Sequence, residues 1–115
     1  MFKHAMVLVM FSLATAGSAA ADDGSRLLSI DHYVQAKSIA PAMNNADVLL
    51  YVREVALASS VLRAEKSQGV VLFVHGAGTP ANVAFDAPYE DYSWMAYLAR
   101  AGYDVFSVDM TGYGR

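Results

Sequence analysis

An apolar run, Val70-Val71-Leu72-Phe73-Val74, passes straight into His75-Gly76-Ala77-Gly78, and this junction restricts the possible folds more than any other segment. A short run so rich in β-branched residues reads as a strand buried on both faces, as in a parallel sheet. The glycines that follow allow a sharp turn whose backbone can approach a bound group closely. The design recurs. Asp104-Val105-Phe106-Ser107-Val108-Asp109 is a second apolar strand, and it enters Met110-Thr111-Gly112-Tyr113-Gly114-Arg115, a second glycine-rich turn. A helix-like stretch lies between them, so the two strands make one βαβ unit. In open α/β sheets ligands bind beyond the carboxyl ends of the strands, where both turns fall.

The rest of the chain is less constrained. Asp22 to Asn45 is polar, punctuated by Pro41 and Asn44-Asn45, and reads as an exposed leader or loosely docked extension over 22–47. Leu49 to Ala58 alternates in part and suggests a strand that pairs antiparallel at the sheet's edge. Val61 to Ala64 suggests another short strand, and Glu65 to Gly69 a loop. Gly76 to Asp91 reads as a long connection without helix, and long loops in compact domains are often functional. Asp91 is placed to cap a helix over Tyr92–Ala101, with Trp94, Leu98 and Ala101 on one face and Gly102 ending it.

Of the 115 residues, 56% are hydrophobic, above the usual share for a soluble domain. Part of that excess is N-terminal. Lys3 and His4 precede an apolar stretch from Ala5 to Phe11, and Gly17-Ser18-Ala19-Ala20-Ala21 precedes Asp22-Asp23. These are the parts of a secretory signal peptide spanning 1–21, which implies a secreted or periplasmic protein. A membrane anchor is the competing reading, but the stretch is shorter than the roughly 20 residues a bilayer requires.

Cleavage removes Lys3 alone among the charged residues and leaves a net charge near −4. Such a surface carries no basic patch for nucleic acid. There is no cysteine, so neither a disulfide framework nor a cysteine-borne lipid anchor is available to these residues. A lone βαβ unit leaves sheet edges open and an apolar face bare, so residues 48–115 are expected to form part of a domain that continues further.

From about Val48 to Arg115 the chain resembles the N-terminal part of an α/β-hydrolase. The residues that carry the likeness are His75-Gly76-Ala77-Gly78, Tyr92-Ser93-Trp94-Met95, Ala101-Gly102-Tyr103-Asp104-Val105 and Asp109-x-x-Gly112-x-Gly114-Arg115. The resemblance implies an α/β fold in which antiparallel edge strands lead into a parallel βαβ unit, here as an incomplete domain. It also implies ester-type hydrolysis of a small-molecule substrate by nucleophilic catalysis, without metal or organic cofactor. In that family one oxyanion-hole donor comes from the loop after the third strand, which carries over to the backbone N–H of Ala77.

His75 then has a structural role rather than that of catalytic base, and Asp109 orders the turn after it by accepting backbone N–H groups. Acid/base or metal work by Asp109 is the alternative. Gly76, Gly78, Gly112 and Gly114 shape the two turns, and Arg115 is either solvated or contacts a substrate anion. Tyr92, Trp94 and Phe85 either line a pocket mouth or pack as core, the latter preferred for Trp94. His32 falls in the leader with no partner. No Gly-x-Ser-x-Gly occurs in the sequence, so no triad can be named; in this family nucleophile, acid and histidine follow later. The rivals are a non-catalytic α/β-hydrolase-like binding protein and a nucleotide-binding α/β domain. The latter is disfavoured because neither a P-loop nor a helix-opening third glycine follows the first turn.

Overall fold

The computed structural model describes residues 24–115, so the expected signal peptide lies outside the described residues. Within them the protein is mixed α/β. Strands β1 (Leu27–Lys37), β2 (Asp47–Leu57), β3 (Val70–Val74) and β4 (Asp104–Val108) form one sheet in the order β1-β2-β4-β3. Helices α1 (Ala58–Arg63), α2 (Ala81–Phe85) and α3 (Trp94–Arg100) complete the fold.

The expected leader holds a long strand, β1. β1 pairs antiparallel with β2 along its whole length, from Leu27 opposite Leu57 to Lys37 opposite Asp47. Its residues alternate in part: Leu28, Ile30, Val34 and Ala36 point to one face and Ser29, Asp31, Gln35 and Lys37 to the other, while His32 and Tyr33 reverse the pattern. The loop between β1 and β2 holds a 3₁₀ turn at Pro41–Met43, and Asn44 and Asn45 take the left-handed backbone that asparagine tolerates. A 2.9 Å bond from Ser38 N–H to the Ala46 carbonyl closes it. The punctuation at Pro41 and Asn44-Asn45 is therefore a connection between strands, not the end of a tail. β2 is accordingly an inner strand, flanked by β1 and β4, rather than the edge.

The βαβ unit is present. β3 and β4 pair in parallel, from Val70 opposite Asp104 to Val74 opposite Val108, and β4 inserts between β3 and β2. Two further local expectations change. Val61 to Ala64 is not strand; Val61 to Arg63 closes helix α1 and Ala64 follows it with a left-handed φ of 53°. The connection after Gly76 contains helix α2.

α3 starts two residues later than expected. Ser93, not Asp91, caps it, its Oγ accepting the Ala96 N–H at 2.9 Å. At the other end Gly102 N–H bonds the Ala99 carbonyl and Tyr103 N–H the Leu98 carbonyl, a Schellman ending.

The buried face of α3 also differs from the expected one. Met95 and Ala99 are fully buried and join Val55 and Val105 in the core, with Val71, Phe73, Phe85 and Leu98 packed around them. Trp94, expected in the core, is 66% exposed. The main core cluster lies on the side of the sheet that carries Val55 and Val105. β3 was expected to be buried on both faces, yet Val70, Leu72 and Val74 are all more than half exposed. The reason is position: β3 is the outermost strand, and α2 and α3 cover only the face that carries Val71 and Phe73.

Candidate functional site

Both glycine turns lie at the carboxyl ends of their strands and are tied together twice. His75 is buried, 7% exposed, and uses both ring nitrogens. The Met110 backbone N–H donates to Nε2 at 2.9 Å, so that nitrogen carries no proton. Nδ1 must then hold the hydrogen, and it donates to the Gly76 carbonyl at 2.7 Å. Neither nitrogen is free to take a proton from a nucleophile. The ring also packs against Tyr113, with centroids 4.6 Å apart.

Asp109 makes the second tie. Its Oδ1 accepts the Ala81 N–H at 2.7 Å, supplying the start of α2 with a cap that Pro80 cannot give. The carboxylate does not bond its own following turn as expected: it reaches across to the first loop, and the following turn is closed by Tyr113 N–H to the Met110 carbonyl at 3.0 Å. Its Oδ2 is buried without a hydrogen-bond partner and lies against the Cα of Gly114.

The Ala77 N–H takes no part in the strand ladder or in any turn bond, and Ala77 is exposed. Gly78 has a φ of +110°, which glycine alone adopts readily. At Gly76 a Cβ would meet nothing within 4 Å, so the backbone here faces open space. Gly112 likewise borders open space.

A charged network on the helix side of the sheet had no counterpart in the sequence reading. Asp31 on β1 accepts the Tyr51 hydroxyl at 2.7 Å and the Arg53 Nε at 3.0 Å. A second Arg53 nitrogen donates to Asp86 at 3.0 Å, and the Ser93 hydroxyl donates to the other Asp86 oxygen at 2.7 Å. One guanidinium thus fastens the sheet to the loop that starts α3. Arg115, expected either solvated or on a substrate, instead donates to Asp31 at 2.9 Å and lies over the Tyr51 ring.

The electrostatics follow from these bonds. Hydrogen bonds from Arg53 and then Tyr51 hold the Asp31 carboxyl below its ordinary range. Burial, reinforced by the bond to Asp31, raises the Tyr51 phenol. Burial acts to lower the Arg53 guanidinium, but Asp31 and Asp86 more than offset it and hold it above its ordinary range.

Two pockets flank α3 and its leading loop. An apolar cleft of about 550 Å³ lies between β3 and α3, with Phe73, Tyr92, Trp94 and Tyr97 in its walls. Tyr92 and Trp94 therefore line a pocket, whereas Phe85 stacks on Phe73 at 4.6 Å in the interior. A more polar pocket of about 640 Å³ is bordered by Arg53, Asn82, Asp86 and Arg115. Ala77 borders neither. His32 is not partnerless: its Nε2 lies 2.7 Å from a Glu54 carboxylate oxygen on the neighbouring strand.

Among the described residues no group of three or more His, Cys, Asp or Glu side chains is placed to hold a metal ion. No helix among them is long and apolar enough to cross a membrane. Compared with models of known protein families and with curated proteins, the chain matches none.

Proposed function

We propose that this chain forms the N-terminal part of an exported α/β-hydrolase, and that the Ala77 N–H is one of two donors to an oxyanion. One observation carries the proposal: a backbone N–H with no bond of its own stands at the carboxyl end of a parallel strand, in open space beside Gly76. Preorganised donors of this kind stabilise the charge that develops on a carbonyl oxygen, and removing one costs roughly 10²–10³ in rate. The antiparallel strands that lead into a parallel βαβ unit support the same reading.

Nucleophile, acid and base are not assigned to any of these residues; the proposal assigns them to sequence following Arg115. The substrate is a small molecule with an ester-like carbonyl. Fluorophosphonate labelling of the full-length secreted protein tests the serine form of the proposal. Stoichiometric labelling of the folded protein is expected, and its absence contradicts a serine nucleophile.

The rival is a non-catalytic α/β-hydrolase-like binding protein. The pockets favour it, because the apolar cleft lined by Tyr92, Trp94 and Tyr97 does not include Ala77.

A further inference from the structure

The peptide group that joins Gly76 to Ala77 carries both the carbonyl bonded by His75 and the N–H proposed to meet the oxyanion. A trans peptide is planar, and its C=O and N–H point in opposite directions. Fixing the carbonyl therefore fixes where the N–H points. We infer that His75 is the positioning residue for the Ala77 amide, and that it acts only as the neutral ring with its hydrogen on Nδ1. The inference rests on the oxyanion reading for its purpose, but its geometry stands apart from it.

The ring is held at both ends. Nδ1–H grips the Gly76 carbonyl at 2.7 Å while Nε2 receives the Met110 N–H at 2.9 Å. The turn after β4 thereby sets the ring, and the ring sets the turn after β3. Burial at 7% exposure and the Tyr113 ring at 4.6 Å leave little room for another rotamer.

A proton added to Nε2 would place two N–H groups face to face. Acid must then break the Met110 bond and release the ring, and with it the Gly76–Ala77 peptide. The titratable groups around His75 are Tyr113 on the turn after β4 and Asp109 at the end of β4, the latter bonded to Ala81 rather than to the ring. The nitrogen-15 signals of the ring itself separate a change at His75 from one at either neighbour.

The test uses the full chain with nitrogen-15 in its histidine rings and backbone, without substrate. At about pH 7.5 the His75 ring is expected as the Nδ1–H tautomer, with the Met110 amide protected from exchange. The sample is then acidified until the ring nitrogens themselves report a doubly protonated His75. Met110 exchange, corrected for its intrinsic pH dependence, should rise about tenfold or more. The Ala77 amide resonance should move in the same transition. His75→Asn, which keeps a donor near Gly76 and loses the Met110 contact, should abolish the transition at Met110 and Ala77.

An Nε2–H tautomer at neutral pH overturns the inference, as does a Met110 amide whose exchange ignores the His75 titration. The wild-type titration decides the matter even where the variant does not fold. Loss of the oxyanion reading by turnover measurements would leave these resonances unchanged, so the two failures are distinguishable.

Discussion

Gly114 packs its Cα against the Oδ2 of Asp109, so closely that a Cβ at position 114 would fall inside the carboxylate. The same glycine has a φ of +60°. A residue with a side chain would be strained by its backbone and would also expel the buried group that caps α2. Gly114→Ala is therefore expected to destabilise the fold by about 2 kcal/mol or more, the αL cost plus displacement of a buried carboxylate. Chemical denaturation of the variant against wild type measures it. A loss smaller than half that value would mean that the turn relaxes freely around Asp109.

The Arg53 guanidinium joins two carboxylates that lie on different elements. Arg53→Met removes both bonds and leaves Asp31 and Asp86 facing one another across a partly buried gap. The expected cost is roughly 1–3 kcal/mol, and Arg53→Lys should recover only part of it, since a single ammonium lacks the planar fork that spans two partners. Thermal unfolding of the three proteins checks the order wild type, Lys, Met.

Asp31 gives the protein an acid-sensitive component. Its folded pKa is held below the ordinary 3.8, so the folded state binds fewer protons than the unfolded chain in that range. The stability it contributes is complete above the unfolded value and disappears as pH falls through the folded one. Asp31→Asn should flatten the acid limb of a stability–pH curve below about pH 4 while leaving the limb near neutrality unchanged in shape. An unaltered acid limb would place the origin of acid sensitivity elsewhere.

Ser93 both caps α3 and binds Asp86. Ser93→Ala should cost about 1 kcal/mol for the cap alone, with a further loss from the unpaired Asp86 oxygen. Ser93→Asp keeps an acceptor for Ala96 N–H but sets a second carboxylate against Asp86, so it should restore the cap and not the total stability. Urea denaturation separates the two contributions.

Val70, Leu72 and Val74 leave an apolar strip beside the unpaired edge of β3. Exposed apolar edges template association. The chain should therefore self-associate with rising concentration, and Leu72→Lys should suppress this. Light scattering across a dilution series checks it, and a monodisperse wild type at high concentration would contradict the expectation.

How far the fold could be read from the residues depended on whether a signal was local. The βαβ unit was legible because Val70–Val74 and Asp104–Val108 are dense apolar runs bounded by glycine. β1 was not, because His32 and Tyr33 reverse the alternation of Leu28, Ile30, Val34 and Ala36 with Ser29, Asp31, Gln35 and Lys37 midway along the strand. Val61–Leu62 is too short for its period to separate helix from strand. The exposure of Trp94 was not legible because Trp94, Leu98 and Ala101 and the pair Met95 and Ala99 are both apolar sets at helical spacing, and packing on the sheet chose the second.

The site divides in the same way. The glycine turns were visible as motifs. The Asp31–Arg53–Asp86 network joins positions 22 and 33 residues apart with no motif of their own: pairing of β1 with β2 sets Asp31 opposite Arg53, and the end of α2 brings Asp86 to it. The His75–Met110 bond spans 35 residues and exists only because β3 and β4 end side by side.

The claim on which the functional account rests is that the Ala77 backbone N–H stabilises developing negative charge. Turnover of the full-length protein with Ala77→Pro measures this directly, alongside Ala77→Gly, which keeps the donor, and with folding of both variants verified by unfolding curves. The account predicts a fall of about 10²-fold or more for the proline variant and near-wild-type turnover for glycine. Equal turnover in a folded proline variant would contradict it.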